Sequence, residues 1–268
     1  MTLFQSLFMS GLTVGTLCAQ TEYTLSFENY LSGTAFDRAN SFSAGDWYDG
    51  LDGLVYTDVI PALDFEIGAV LAATSDYSPR RASVNGSING DDAILNMRRN
   101  NSVDFTFTLY DTLSGDVVDS DFFGDDFSYS LAFYDLDGSE NGGLEQITSS
   151  DHSSWERTGV SIIDVDVDGN MVTATTNGTE NNVPNAGAST TELSEEQQNA
   201  SIVFNYENKG SIDLTYTIIG GDSDIDRNLL IDGNDFTVFT VPTVTVPEPS
   251  SVLLVVMSSM FLTLRRRR

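Results

Sequence analysis

VDFTFTLYD, residues 103–111, alternates strictly: Val103, Phe105, Phe107 and Leu109 fall on one side, and Asp104, Thr106 and Thr108 on the other. A period of two with aromatic and β-branched residues is the mark of a strand with one face buried and one wet. FSYSLAFYD repeats it with Phe127, Tyr129, Leu131 and Phe133, and SIDLTYTII with Ile212, Leu214, Tyr216 and Ile218. Weaker strand signals cover 22–30, 54–60, 64–72, 160–167, 170–175, 200–206 and 235–244. Between them stand Asp-Gly and Asn-Gly pairs, whose residues tolerate the positive φ that tight turns require. Asp168-Gly169 is the clearest hairpin, lying between two strand-like runs. Only Leu193 to Ala200 suggests a helix, of one or two turns. Many short strands and frequent turns predict an all-β chain, an antiparallel β-sandwich of jelly-roll type. Phe105, Phe107, Phe127, Tyr129, Leu131, Phe133, Leu214 and Tyr216 should point inward.

The chain of 268 residues carries 40 Asp and Glu against 12 Lys and Arg, and four of those cations are its last four residues. Setting Arg265–Arg268 aside takes the net charge from −28 to −32. Such a body repels nucleic acid and anionic lipid, so nucleic acid is excluded as a partner, while divalent cations are attracted. Aromatic residues at 10% are too many for a disordered chain. The single cysteine, Cys18, lies near the start, which leaves the body without disulfides or thiol chemistry. The polar stretch 176–199 reads as a long exposed loop. The strands after it are too few for a core of their own, so residues 20–240 form one domain.

The C-terminus is a separate device. VPEPSSVLLVVMSSMFLTLRRRR, residues 246–268, holds an uninterrupted apolar or small-hydroxyl run from Val252 to Leu264. As a helix this run is about 20 Å long, short of the usual span of about 20 residues. The residues before it can extend it into the interface, and the arginines can snorkel at the other end. By the positive-inside rule Arg265, Arg266, Arg267 and Arg268 stay cytoplasmic and the acidic body lies outside.

Pro247-Glu248-Pro249, then an apolar helix, then a terminal basic cluster, resembles the PEP-CTERM sorting signal of bacterial exported proteins. The resemblance covers about 246–268. It implies that exosortase, a membrane protease-transpeptidase, recognises the Pro-Glu-Pro motif and processes the tail. It also implies a transient stay in the inner membrane, then the cell surface or the extracellular matrix with its exopolysaccharide. On this reading 250–268 is a transmembrane sorting helix with its arginines, and 241–249 an extended linker that holds the motif clear of the fold. The N-terminal end agrees. Residues 1–19 carry an apolar run from Leu7 to Leu17 followed by small residues, as a secretory signal does, although no Lys or Arg precedes the run.

Within the body the acids cluster. YDLDGSENGGLE offers Asp135, Asp137, Ser139, Asn141 and Glu145 at alternating positions around a glycine turn, an oxygen pattern suited to Ca²⁺. Asp135, Asp137 and Glu145 are the metal candidates, although Gly138 and Gln146 depart from the EF-hand pattern. Asp164, Asp166 and Asp168 share one strand face and read as its solvent side. In GGDSDIDRNLLIDGND, Arg227 can neutralise part of a third acidic run. Enzymatic readings are thin. His152 is the only histidine, which rules out a multi-histidine metal centre, and no phosphate loop, dinucleotide fingerprint or zinc spacing occurs. Trp47 and Trp155, in polar contexts, are the residues that could stack on a sugar ring.

Two readings follow. One is a non-enzymatic exported protein of the cell surface or matrix, sorted by its tail. The other is a carbohydrate-binding sandwich module with calcium as its ion.

Overall fold

A computed structural model of the chain describes residues 21–30, 53–63, 65–81, 84–88, 92–118, 120–123, 127–138, 143–178, 193–220, 226–233, 239–240 and 242–247. The strands among these residues are β1 Thr21–Tyr23, β2 Gly53–Tyr56, β3 Ile67–Ala73, β4 Gly86–Ile88, β5 Asp92–Arg98, β6 Asn101–Asp111, β7 Phe127–Tyr134, β8 Leu144–Ser149, β9 Ser154–Thr158, β10 Ile163–Asp168, β11 Met171–Thr176, β12 Ile202–Glu207, β13 Ser211–Ile219, β14 Asp226–Asp232 and β15 Thr243–Pro247. Short helices accompany them, α1 Ser120–Phe123 and α2 Glu195–Asn199.

The strands form two sheets. One runs β15-β9-β12-β7-β14-β5-β4, with β1 added to β7, and the other β10-β11-β8-β13-β6-β3-β2. Pairing is antiparallel except where β1 lies parallel to the start of β7, Thr21 beside Phe127. β7 is bordered along one side by β12 and on the other by β1 at its start and β14 at its end. The three alternating stretches are β6, β7 and β13, and they lie centrally because each has a full face of large apolar residues to bury.

Their inward residues meet between the sheets. Phe105, Phe107, Phe127, Tyr129, Leu131, Phe133, Leu214 and Tyr216 are all buried in one cluster, as expected. Phe107 contacts Tyr129 across the sandwich and Tyr129 stacks on Tyr206, with ring centroids 6.1 and 5.3 Å apart. The β10–β11 hairpin turns through Gly169 at φ 64°, with Asp168 opposite Met171, as the Asp-Gly pair predicts. α2 begins at a capping box: Ser194 accepts from the Gln197 amide while the Gln197 side chain accepts from the Ser194 amide.

The two outer faces differ. That of the eight-stranded sheet is partly roofed. Ile94, Ala132, Tyr134, Val203 and Leu230 are covered by Leu193 and Phe239. Gln198 ties Thr240 down by bonds of 2.8 and 2.9 Å. Beside this, the chain around 80–81 closes on Asn96, whose side-chain oxygen accepts from the Arg80 and Arg81 amides at 3.2 and 2.8 Å. The outer face of the seven-stranded sheet is polar and solvent-facing among the described residues over β13, β8, β11 and the first half of β6, whereas toward β2 and β3 its outward residues Val55, Val70, Ala72, Thr108 and Tyr110 are buried.

Residues 243–247 are not a linker clear of the fold. β15 is an edge strand paired with β9 from Thr243–Thr158 to Pro247–Ser154. Gly159 donates to the Pro242 carbonyl at 2.7 Å, and Val246 packs against the core. Alternating Thr and Val suit an edge strand, and Pro is tolerated at its end because no ladder donor is needed there. Among the described residues no helix is long and apolar enough to cross a membrane. The expected signal at 1–19, Glu248, Pro249 and the helix and arginines of 250–268 lie outside the described residues.

Candidate functional site

The solvent-facing part of this sheet is built by the outward residues of β13, β8, β11 and of β6 up to Thr106, the other half of the alternation that buries Phe105, Phe107, Leu214 and Tyr216. Directly opposed positions hydrogen-bond in pairs. Thr215 donates to Asp104 and Thr106 donates to Asp213, both at 2.7 Å. Ser102 pairs with Thr217 at 2.7 Å and Thr108 with Ser211 at 2.9 Å. Thr148 pairs with Thr173 at 3.1 Å, and Gln146 donates to Thr175 at 2.8 Å. These bonds lock side-chain rotamers across the strands.

A shallow groove of about 400 Å³ crosses the face, lined by Thr74, Asp104, Phe105, Thr148, Ser150, Met171, Asp213, Leu214 and Thr215. Asp104 is held from behind, since its amide donates to Ser75 at 2.7 Å, and the Asp213 amide donates to Asp151 at 3.1 Å. Each carboxylate receives one threonine hydroxyl, which leaves acceptor capacity for a ligand. The groove offers two fixed carboxylates, four hydroxyls and one thioether. That set suits the hydroxyls of a neutral, polyhydroxylated ligand. Period two identifies these residues as solvent-facing, but only the pairing of β6 with β13 brings Asp104 and Asp213 together.

The predicted metal candidates do converge, but on a different cation. Asp135, Asp137 and Glu145 stand where β7 ends and β8 begins. Arg227, at the start of β14, reaches Asp137 at 3.0 Å and Glu145 at 3.9 Å and donates to the Gly138 carbonyl at 2.8 Å. The Asp137 amide donates to Glu145 Oε2 at 3.2 Å, and the Tyr216 hydroxyl donates to Glu145 Oε1. Glu145 is buried, and burial pushes its carboxyl well above the usual range against the pull of Arg227. Burial, with the charge of Asp137 adding and Arg227 opposing, raises Asp135 to about 8. Its backbone sits in the left-handed region at φ 62°.

Asp137 Oδ1 faces the guanidinium, the two Glu145 oxygens accept from an amide and a phenol, and among the described residues no group of three or more acidic, His or Cys side chains is arranged to hold a metal ion. Ser139 and Asn141 lie outside the described residues. Arg227 faces Asp137 and Glu145, acids far from it in sequence. Asp164, Asp166 and Asp168 are exposed on β10, as the solvent side predicted for them.

The aromatic expectations divide. Trp155 is not in a polar loop. It lies in β9, 7% exposed, in the core between the sheets, and cannot form a sugar platform. Its neighbours in sequence are polar because β9 alternates and presents them on the other side. Trp47 lies outside the described residues. His152 is buried with its ring 5.3 Å from Phe204, and burial lowers its pKa.

No family model matches the chain, and no curated protein matches its sequence. Among solved structures it is similar to the glucan binding protein C of Streptococcus mutans at 11% identity and a TM-score of 0.36, over 81% of this chain and 76% of that one. Structural analysis of that protein provides evidence that it mediates both sucrose-independent and sucrose-dependent adherence.

Proposed function

We propose that this is a non-enzymatic, exported protein of the cell surface or extracellular matrix that binds polysaccharide on the solvent-facing part of its seven-stranded sheet. The observation that carries the binding is the groove between Asp104 and Asp213. It is a prearranged set of carboxylate and hydroxyl groups at which Asp104 and Asp213 are exposed. Sugar hydroxyls are both donors and acceptors, and such a face answers both. The crossing of the chain between sheets at each step from β6 to β9 is read as a jelly-roll-like winding. Export rests on the tail. Pro247-Glu248-Pro249, the apolar run and Arg265–Arg268 make the chain a substrate for an exosortase-type enzyme after transient anchoring in the inner membrane.

Two experiments test the two halves. Affinity electrophoresis of the exported protein through gels containing exopolysaccharide, dextran, mannan or laminarin should show retardation. Asp104→Ala with Asp213→Ala should reduce that retardation without changing the melting temperature by more than a few degrees. An unretarded wild-type protein in all of these gels would overturn the binding. Mass spectrometry of the exported protein should place its C-terminus near Pro249, and an intact Arg265–Arg268 on the released form would overturn the sorting.

A further inference from the structure

We infer that the end of the sandwich around Phe65 and Phe122 is a second sugar-contact site, one that stacks on the apolar face of a neutral pyranose ring. This deepens the polysaccharide reading above and rests on it. Phe65 and Phe122 are 45% and 44% exposed, unusual for phenylalanine in a chain with an ample core. They are not loose surface residues. Their rings meet edge to face at 5.3 Å, and Phe122 meets Phe123 in the same way at 5.2 Å. Phe123 stacks on buried Phe127 at 4.7 Å and contacts Tyr23 at 5.0 Å. A continuous aromatic ladder therefore runs from the core to solvent and holds the two outer rings in place before any ligand arrives. Rigid rings bind with little loss of side-chain entropy.

The surroundings select the ligand. The turn after β6 is tied to this end by Thr112, whose amide and hydroxyl both donate to the Glu66 carbonyl, at 3.2 and 3.0 Å. That brings Glu66 and Asp116, both exposed, to the same end of the sandwich as the rings. Among the described residues in the segments that carry the rings and their contacts, 21–30, 59–67, 109–118, 120–123 and 127–129, there is no Lys or Arg, and Lys209 in a neighbouring turn is paired with Asp151 at 3.2 Å. An anionic lipid surface or acidic polymer is repelled. A protein partner would require roughly 800 Å² of surface, far more than two half-exposed rings among carboxylates supply. A pyranose fits both features. Its C–H face lies on an aromatic ring, and its rim of hydroxyls donates to carboxylates.

The test is affinity electrophoresis of the exported protein in dextran, mannan and laminarin, with alginate as the acidic control. Phe65→Ala with Phe122→Ala should weaken binding to the best neutral polysaccharide by roughly tenfold, the scale of one lost aromatic contact. Alginate should give no retardation with any variant. Phe122→Leu keeps apolar volume but not the ring, so it guards against a folding defect and should show the same direction of change. Neutral binding that is unaffected by both ring variants but lost in Asp104→Ala with Asp213→Ala overturns this site and leaves the groove standing. Retardation by alginate equal to that by neutral polymers also overturns it. No retardation in any gel overturns the polysaccharide reading itself.

Discussion

Arg227 lies 3.0 Å from Asp137, whose side chain is 6% exposed, and the two are far apart in sequence, after β7 and at the start of β14. One guanidinium thus holds the β7–β8 connection to the strand that borders β7. Arg227→Met should destabilise the protein by about 3 kcal/mol, the low end for breaking a buried pair, because the arginine is itself about a quarter exposed. Adding Asp137→Asn should recover part of the loss, since the uncompensated charge is then gone. Urea denaturation of the single and double variants measures both. A loss below about 0.5 kcal/mol for Arg227→Met would show the pair to be a surface contact.

The same cluster carries a pH dependence. In the folded protein the Asp135 carboxyl is raised to about 8 from an ordinary 3.8, so the native state holds the proton more tightly than the unfolded chain. Its contribution is fully present below the ordinary carboxyl range and is lost as the pH rises through about 8. Wild-type stability relative to Asp135→Asn should therefore fall between about pH 5 and pH 9, by more than about 1 kcal/mol. Comparison with the variant removes the general repulsion among the other acids, which both proteins share. A constant difference across that window would show that Asp135 titrates normally.

Calcium and magnesium at matched ionic strength should raise the melting temperature equally. The carboxylates best spaced for calcium already face Arg227, so added cations act by screening the net charge of −28 rather than by binding one site. Thermal melts in each salt decide it. A calcium-specific rise that disappears in Asp135→Ala with Asp137→Ala would restore these acids as a metal site.

β15 closes the edge beside β9, pairs Val246 with Trp155 and packs that valine against the core. A chain ending at Pro242 should be less stable than one ending at Pro249 by about 1–2 kcal/mol, the value of partly burying one valine and a short ladder. That corresponds to about 2–4 °C for each kcal/mol. The shorter chain should also self-associate, because the bared edge of β9 becomes an open template. Equal melting temperatures and a monomeric shorter chain would mean that β15 is not held in solution.

Local features were legible in the residues themselves. Strict alternation in β6, β7 and β13 declared both the strands and their inward faces, because side chains on a strand point to opposite sides at every step. The helical signal at 193–200 was equally local, since the capping box from Ser194 to Gln197 is complete within four residues. Alternation failed where both faces are covered or the strand is short. β5, DAILNMR, is buried at six of its seven positions and shows no period, and β9, SWERT, is too brief to show one. Which strands become neighbours depends on contacts between residues distant in the chain, and so does everything that follows from neighbours. The assembled sheets put Asp104 opposite Thr215, brought Arg227 to Asp137, and drew residues 243–247 onto β9. They buried Trp155 and left Phe65 and Phe122 outside. Hydrophobicity sets how many rings the core takes, while sheet order and the ends of the sandwich set which ones.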